Sequence, residues 1–240
     1  MIVRTLNRLG RAARRYTVTG QFRGAPSPMI NRFFGGKDCF FVQVGSNDGL
    51  WGDPLRELAL ANPRWRGILI EPLDEVFEQL IRNYHADERF AFEQIAIANS
   101  NEDQWFYYVS RESGLHSNLQ KIGSFKRAHV LAQVIGGLRH ADIKWKEPDA
   151  YISKKRVRCE TLMSVLERRG INHFDILHVD AEGYDYEVIR QIDFERFSPK
   201  LILYEHTNLG GDAKAARLFL QANGYHLVDC GADTMAVKRG

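Results

Sequence analysis

The sequence predicts an α/β fold, a mostly parallel sheet with helices on both faces. Three observations carry that expectation. An apolar run, Phe40 to Val44, stops at a glycine-rich turn, Gly45 to Gly49. A second run, Gly67 to Ile70, ends in an acid, Glu71. Further apolar runs alternate with helical patterns to the end of the chain. Strands buried on both faces read as continuous apolar runs, and alternation with helices implies parallel pairing.

The elements follow in order. Ile2, Leu6, Leu9, Ala13 and Tyr16 recur at helical spacing, with Arg4, Arg8, Arg11 and Arg15 on another face. This predicts a basic amphipathic helix. It docks on a membrane surface or a partner, or it packs on the body and shows its arginines to water. It lacks a secretory h-region and a cleavage site, so it does not read as a signal peptide. Gly24 to Pro28 reads as a loop, and residues 1–37 form this N-terminal helix and loop. Residues 38–240 read as one domain.

Within it, Cys39–Val44 is the first strand and Pro54–Ala61 a helix. Gly67–Ile70 is the second strand, and Asp74–Tyr84 a helix with Val76, Phe77, Leu80 and Ile81 on one face. Phe90–Ile97 reads as the third strand and Gln104–Val109 as a further extended piece. Thr161–Arg169 is a helix that Gly170 can end. Phe174–Val179 and Leu201–Tyr204 are the fourth and fifth strands, with Glu187–Ile192 in the helix between them. Asp212 can cap a helix that ends near Gly224. Tyr225–Asp229 and Thr234–Val237 read as a final antiparallel pair. Residues 110–156 break the rhythm; they are rich in Ser, Gly, His and Lys, with a helix near Phe125–Ile135. An insertion above the strand ends is a natural substrate lid.

Composition narrows the function. The net charge of +3 hides eight Lys and Arg without an acid in residues 1–37, which leaves 25 bases against 30 acids in the rest. A mildly acidic body is not an obvious nucleic-acid binder. Cys39, Cys159 and Cys230 are scattered without metal-type spacing, which predicts reduced thiols and a cytoplasmic protein. No apolar run is long enough to span a bilayer.

An acid at the tip of the strand after a glycine-rich turn is placed to grip a ribose diol. A dinucleotide site wants a second glycine where this chain has Asn47, and Asp48 puts a carboxylate where a pyrophosphate would sit. A cationic cofactor without phosphates fits better. In S-adenosylmethionine, turn amides can take the carboxylate and a nearby acid the ammonium.

These residues resemble the FkbM family of S-adenosylmethionine-dependent O-methyltransferases. The matching motifs are Val-Gln-Val-Gly-Ser-Asn-Asp-Gly (42–49), Leu-Ile-Glu-Pro (69–72), Ala-Ile-Ala-Asn (96–99) and Ile-Leu-His-Val-Asp-Ala-Glu-Gly-Tyr-Asp-Tyr-Glu-Val (176–188). The resemblance covers about residues 38–208. It implies a class I methyltransferase sheet in a Rossmann-like three-layer sandwich, with seven strands, the last antiparallel. It also implies methyl transfer to a hydroxyl, commonly of a sugar. The cofactor set it points to is Gln43, Gly45, Ser46, Asn47, Asp48, Gly49, Glu71, Pro72, Ala96 and Asp180. Gln43 departs from the acid usual in the family, so that contact is neutral here or Asp48 takes the charge.

Asp180, Glu205 and His206 stand at neighbouring strand tips. In one reading they bind Mg²⁺, which lowers the pKa of the attacking hydroxyl. In the other no metal binds and His206 or His116 is the base. A third reading leaves Glu205 and His206 as loop supports, and Asp180 as a cap of the following helix. Glu182 contacts the cofactor or braces that helix, and His178 reads as a buried, hydrogen-bonded histidine. Ser113 to Asn118 suits sugar hydroxyls or is a solvated loop. Trp51 and Trp145 are stacking candidates, and Trp105 reads as core. The competing functions are a nicotinamide-dependent oxidoreductase and a non-catalytic scaffold recruited through the basic helix. Homo-oligomerisation is left open.

Overall fold

The computed structural model describes residues 21–22, 25–50, 52–140 and 147–239. The basic helix expected near the N-terminus, Trp51 and Trp145 lie outside the described residues.

The described chain opens with β1 (Gln21–Phe22) and α1 (Ser27–Phe34). Of the loop expected at Gly24–Pro28, Ser27 and Pro28 instead begin this helix, while Ala25 and Pro26 precede it. Pro28 sits in its first turn, where a missing N–H costs nothing, and Met29, Ile30 and Phe34 bury one face. Phe34 meets Trp65 edge-on at 6.4 Å between ring centroids.

β2 (Cys39–Val44), α2 (Arg56–Ala61), β3 (Trp65–Ile70), α3 (Asp74–Asn83) and β4 (Phe90–Glu93) follow. The strand expected over Phe90–Ile97 is broken. β4 ends where Glu93 is held by Arg168 at 3.0 Å and by Arg169. β5 (Ala96–Ile97) then leaves the main sheet.

β6 (Gln104–Val109), β7 (Gly123–Ser124) and β8 (Ile152–Val157) make a small antiparallel sheet. Between β7 and β8, α4 (Arg127–His140) packs Val130, Val134 and Leu138 against Val109 and Tyr151. β9 (Cys159–Glu160) pairs with β5. Next comes α5 (Leu162–Arg168), whose N-cap Thr161 accepts the Ser164 amide at 3.1 Å. β10 (Ile176–Val179), α6 (Asp185–Ile189), β11 (Leu201–Glu205), α7 (Asp212–Ala222), β12 (Tyr225–Cys230) and β13 (Asp233–Lys238) complete the chain.

The main sheet runs β1-β12-β13-β11-β10-β2-β3-β4. Only β13 runs against its neighbours, between β11 and β12. This is the expected class I methyltransferase sheet, with β1 added at one edge. Alternate side chains build two cores. Val42, Val44, Ile68 and Leu177 face α5, α6 and α7; Phe41, Leu69 and Ile176 face α1, α2 and α3. Val44 lies level with both Ile70 and Val179, so three strands end together at one edge. Among the described residues, no helix is long and apolar enough to cross a membrane. All three cysteines are buried and free.

Candidate active site

The ends of β2, β3 and β10 open on a cleft at the edge of the sheet. Gly45 has φ +74°, and a Cβ there would overlap the Asp180 carbonyl oxygen. Only glycine lets the two strand tips approach this closely. Asn47 (φ 50°) and Glu182 (φ 48°) are also left-handed, and both line the cleft. Such backbone is disfavoured and gathers at functional sites.

Glu71 organises the floor. Its Oε2 accepts the Asn47 amide at 3.1 Å and its Oε1 the Leu73 amide at 3.0 Å. Burial pushes its carboxyl up to about 7, against the pull of those amides and Lys155 and with a further push from Glu182. Pro72, Ala96, Ile97 and Phe106 add an apolar wall.

Of the predicted cofactor set, Gly45, Asn47, Glu71, Pro72, Ala96 and Asp180 line the cleft. Gln43, Ser46, Asp48 and Gly49 support it from behind. Ser46 Oγ donates to the Gln43 carbonyl at 3.2 Å and accepts the Ile70 amide at 3.1 Å, tying β2 to β3. Gln43 is buried, with Oε1 lacking a partner and its side chain against Asp53. Asp48 faces Lys121 at 2.5 Å rather than open cleft. Gly49 leaves room for Leu80 and Tyr84. The turn amides expected to take a ligand carboxylate are themselves engaged: Gly45 and Ser46 donate to the Ile70 carbonyl, each at 3.0 Å.

The insertion crosses the cleft as a strap. On one wall, Lys121 pairs with Asp48, and Asn47 Nδ2 donates to the Lys121 carbonyl at 3.4 Å. Lys121, Gly123 and Phe125 line the cavity. On the other wall, Ser124 Oγ donates to the Glu182 carbonyl at 2.9 Å and Lys126 Nζ to the Gly183 carbonyl at 2.7 Å. His129 Nε2 lies 2.6 Å from Glu182 Oε2.

Asp180 points its chemistry into the cleft but caps no helix. Among the described residues no hydrogen bond holds its carboxyl, which burial and then Glu182, Asp185, Glu205 and Asp233 push well up. The metal set of Asp180, Glu205 and His206 is not assembled. Glu205 is occupied by Thr207 Oγ1 at 2.8 Å and Asn208 Nδ2 at 2.5 Å. His206 Nδ1 lies 3.1 Å from Thr234 Oγ1, which itself donates to Asp229. β13 thus engages His206 through Thr234, while Glu205 is held by the loop that follows its own strand. Among the described residues no three His, Cys, Asp or Glu side chains could hold a metal ion. The donors present therefore do not fit Mg²⁺.

Neither predicted histidine lines the cleft. His116 is exposed, its Nδ1 accepting the Asn118 amide at 3.3 Å. The histidine that the fold does bring to the site is His129, which no motif marked. Only the helix expected near Phe125–Ile135 pointed to its place. His178 is buried as expected but unsatisfied: Nδ1 has no partner, and burial pushes the ring down to about 4. Trp105 is not core. It is 48 % exposed, under Lys154 Nζ at 4.6 Å. Its strand alternates, and Phe106 takes the inward face.

The Methyltransferase FkbM domain matches residues 43–227. The chain belongs to the FkbM methyltransferase family. Among curated proteins none matches this sequence. Solved structures with a similar chain path include a putative O-methyltransferase from Klebsiella pneumoniae, at 13% identity and TM-score 0.45, covering 99% of this chain and 89% of that one. A precorrin-6y C5,15-methyltransferase from Geobacter metallireducens GS-15 has 10% identity and TM-score 0.42, covering 84% and 81%. Neither likeness bears on substrate.

The family implies S-adenosylmethionine, and this FkbM cleft fits it. Glu71 would suit the ribose diol, the Pro72, Ala96, Ile97 and Phe106 wall would suit a purine, and Gly45 and Asp180 would be left for the methionine end. When bound, the sulfonium supplies an electrophilic methyl group.

Proposed function

We propose that this FkbM methyltransferase transfers a methyl group from S-adenosylmethionine to a hydroxyl of a sugar or a glycosylated metabolite in the cytoplasm. The observation that carries the cofactor reading is the charge of the cleft. Three acids line it, Glu71, Asp180 and Glu182, against one base, Lys121. A pyrophosphate would bring further negative charge beside those acids and oppose their ionisation, whereas a sulfonium and an ammonium favour their ionised forms. This disfavours a nicotinamide cofactor. Hydroxyl specificity and the sugar class rest on the family resemblance.

The chain's own part in the reaction is to align, shield and deprotonate. Phe125, Gly123 and Lys121 cover the cleft, which excludes water. Glu182, held by His129, lines the cleft together with Asp180. One proton must leave the acceptor hydroxyl, and a positioned carboxylate–histidine pair is suited to take it.

Calorimetry with S-adenosylmethionine, S-adenosylhomocysteine and NAD tests the cofactor. Binding of NAD alone would overturn the reading. A panel of sugars incubated with methyl-labelled cofactor then tests the acceptor. Label transferred only to amines would refute the hydroxyl assignment.

A further inference from the structure

We propose that Lys121, carried by the insertion, anchors the carboxylate of the cofactor's methionine end, with Asp48 positioning its ammonium. The inference rests on the cleft being an S-adenosylmethionine site.

A methionine carboxylate in a cleft lined with acids needs donors. The glycine-rich turn has none to spare. The Gly45 and Ser46 amides donate to the Ile70 carbonyl, and the Gly49 amide to the Ser46 carbonyl at 3.1 Å. The Asn47 amide is taken by Glu71 at 3.1 Å. The Asp48 amide is taken by Asn47 Oδ1 at 2.7 Å, and the Leu50 amide by Asp48 Oδ1 at 3.1 Å. Freeing any of them would dismantle the turn that forms the site.

That leaves the side chains. Among the described residues lining the cleft, Lys121 alone is cationic. Its ammonium lies 2.5 Å from Asp48 Oδ2, in a pair whose side chains are only 17% and 4% exposed. An ammonium has three donors. Asp48 takes one and fixes the direction of the others. The Asn47 side-chain amide, 3.4 Å from the Lys121 carbonyl, stands at the same corner. A charge-assisted contact to a carboxylate is the strong kind of hydrogen bond. A mere strap closure would also need the ion pair, so the ligand must discriminate the two roles.

The test compares S-adenosylhomocysteine with S-adenosyl-3-thiopropylamine, the same thioether and amine without the carboxylate. Calorimetry is run on the wild type, Lys121→Met, Lys121→Arg and Asp48→Asn. The wild type should favour S-adenosylhomocysteine by about tenfold or more. Lys121→Met should weaken S-adenosylhomocysteine by about tenfold and the amine by less than about twofold. Lys121→Arg should keep most of the preference, and Asp48→Asn should show a smaller loss confined to the carboxylate-bearing ligand. Equal losses for both ligands would make Lys121 a strap contact only and overturn the proposal. So would equal wild-type affinities, a result that needs no variant to fold. If the wild type bound neither ligand, the cofactor reading would fail first and this inference with it.

Discussion

Replacing Glu71 with Gln removes one charge and almost no volume. Both carboxylate oxygens already accept amides, from Asn47 at 3.1 Å and Leu73 at 3.0 Å. In the proposed complex they also accept the two ribose hydroxyls. A glutamine keeps one acceptor oxygen and turns the other position into a donor. One diol contact is lost and the other becomes neutral. At about 1.5–3 kcal/mol for a hydrogen bond to a charged group, the loss is about 2 kcal/mol, or roughly 30-fold in affinity. Folding should change far less. The variant leaves one amide without an acceptor, at about 1–3 kcal/mol. It also relieves the burial of a charge whose pKa rises from 4.5 to about 7, worth about 3 kcal/mol above that pH. These terms oppose each other, so at pH 8 the variant should unfold within about 1 kcal/mol of the wild type. The sign with pH is also set. The folded state holds the Glu71 proton more tightly than the unfolded state. This contribution to stability is present in full below 4.5 and is lost as pH rises to about 7. Ligand affinity runs the other way, falling as pH drops below about 7 in the wild type and staying flat in the variant. Calorimetry with S-adenosylhomocysteine from pH 6 to 8 reads both effects, taking pH values about one unit either side of that pKa. Affinity unchanged within about twofold at pH 8 would refute the ribose assignment.

Asp180→Asn should weaken S-adenosylmethionine roughly fivefold more than S-adenosylhomocysteine, because only the former is a sulfonium; competition binding with equal losses would contradict this. Gly45→Ala forces a methyl group onto the Asp180 carbonyl at a left-handed position, so denaturant unfolding should show a loss of about 3 kcal/mol or more. A loss under about 1 kcal/mol would mean the strand tips can part. His129→Gln cuts the link between α4 and Glu182, so amide hydrogen exchange over residues 121–129 should speed by about tenfold while the main sheet stays protected. Unchanged exchange there would show that the Lys121, Ser124 and Lys126 contacts hold the strap without His129.

The framework was legible because buried parallel strands leave continuous apolar runs. Cys39–Val44 and Gln104–Val109 coincide with β2 and β6 to the residue. The break inside Phe90–Ile97 was not legible, because its cause is distant. Glu93 is caught by arginines more than seventy residues away in sequence. The cleft walls at Gly45, Glu71 and Asp180 were legible from spacing, since each sits at the end of an apolar run. The residues that brace those walls from behind were not. Ser46 and Gly49 belong to the same turn, and only the turn's own hydrogen bonds show which of its residues face inward. His206 misled for a related reason. It follows β11 directly, but the antiparallel strand inserted beside it offers Thr234 as a partner. His129 was missed because nothing local distinguishes it. Its partner, Glu182, is 53 residues further along the chain.

The crowding of acids at the transfer end has a consequence for turnover. Glu205 and Asp233 stand directly opposite each other on β11 and β13. The adjoining His206 amide donates to the Ala232 carbonyl at 3.0 Å, so the 205/233 pair is of the non-hydrogen-bonded kind, with side chains closer. Like charges in that position are unfavourable. Beneath them, buried Asp185 accepts the Glu205 amide at 3.2 Å while its Oδ2 has no partner. Burial, then Glu205, pushes the Asp185 carboxyl well up, and Asp233 is raised to about 6 for the same two reasons. Such repulsion is relieved by a cation brought alongside Asp180. In the proposed reaction that cation disappears, since the methyl–sulfur bond pair returns to sulfur and leaves a neutral thioether. The acids then lose the partner that offset their repulsion. The same carboxyls that draw the charged cofactor in thus weaken the hold on its spent form, and that asymmetry is why affinity for the sulfonium and for the thioether must be measured separately.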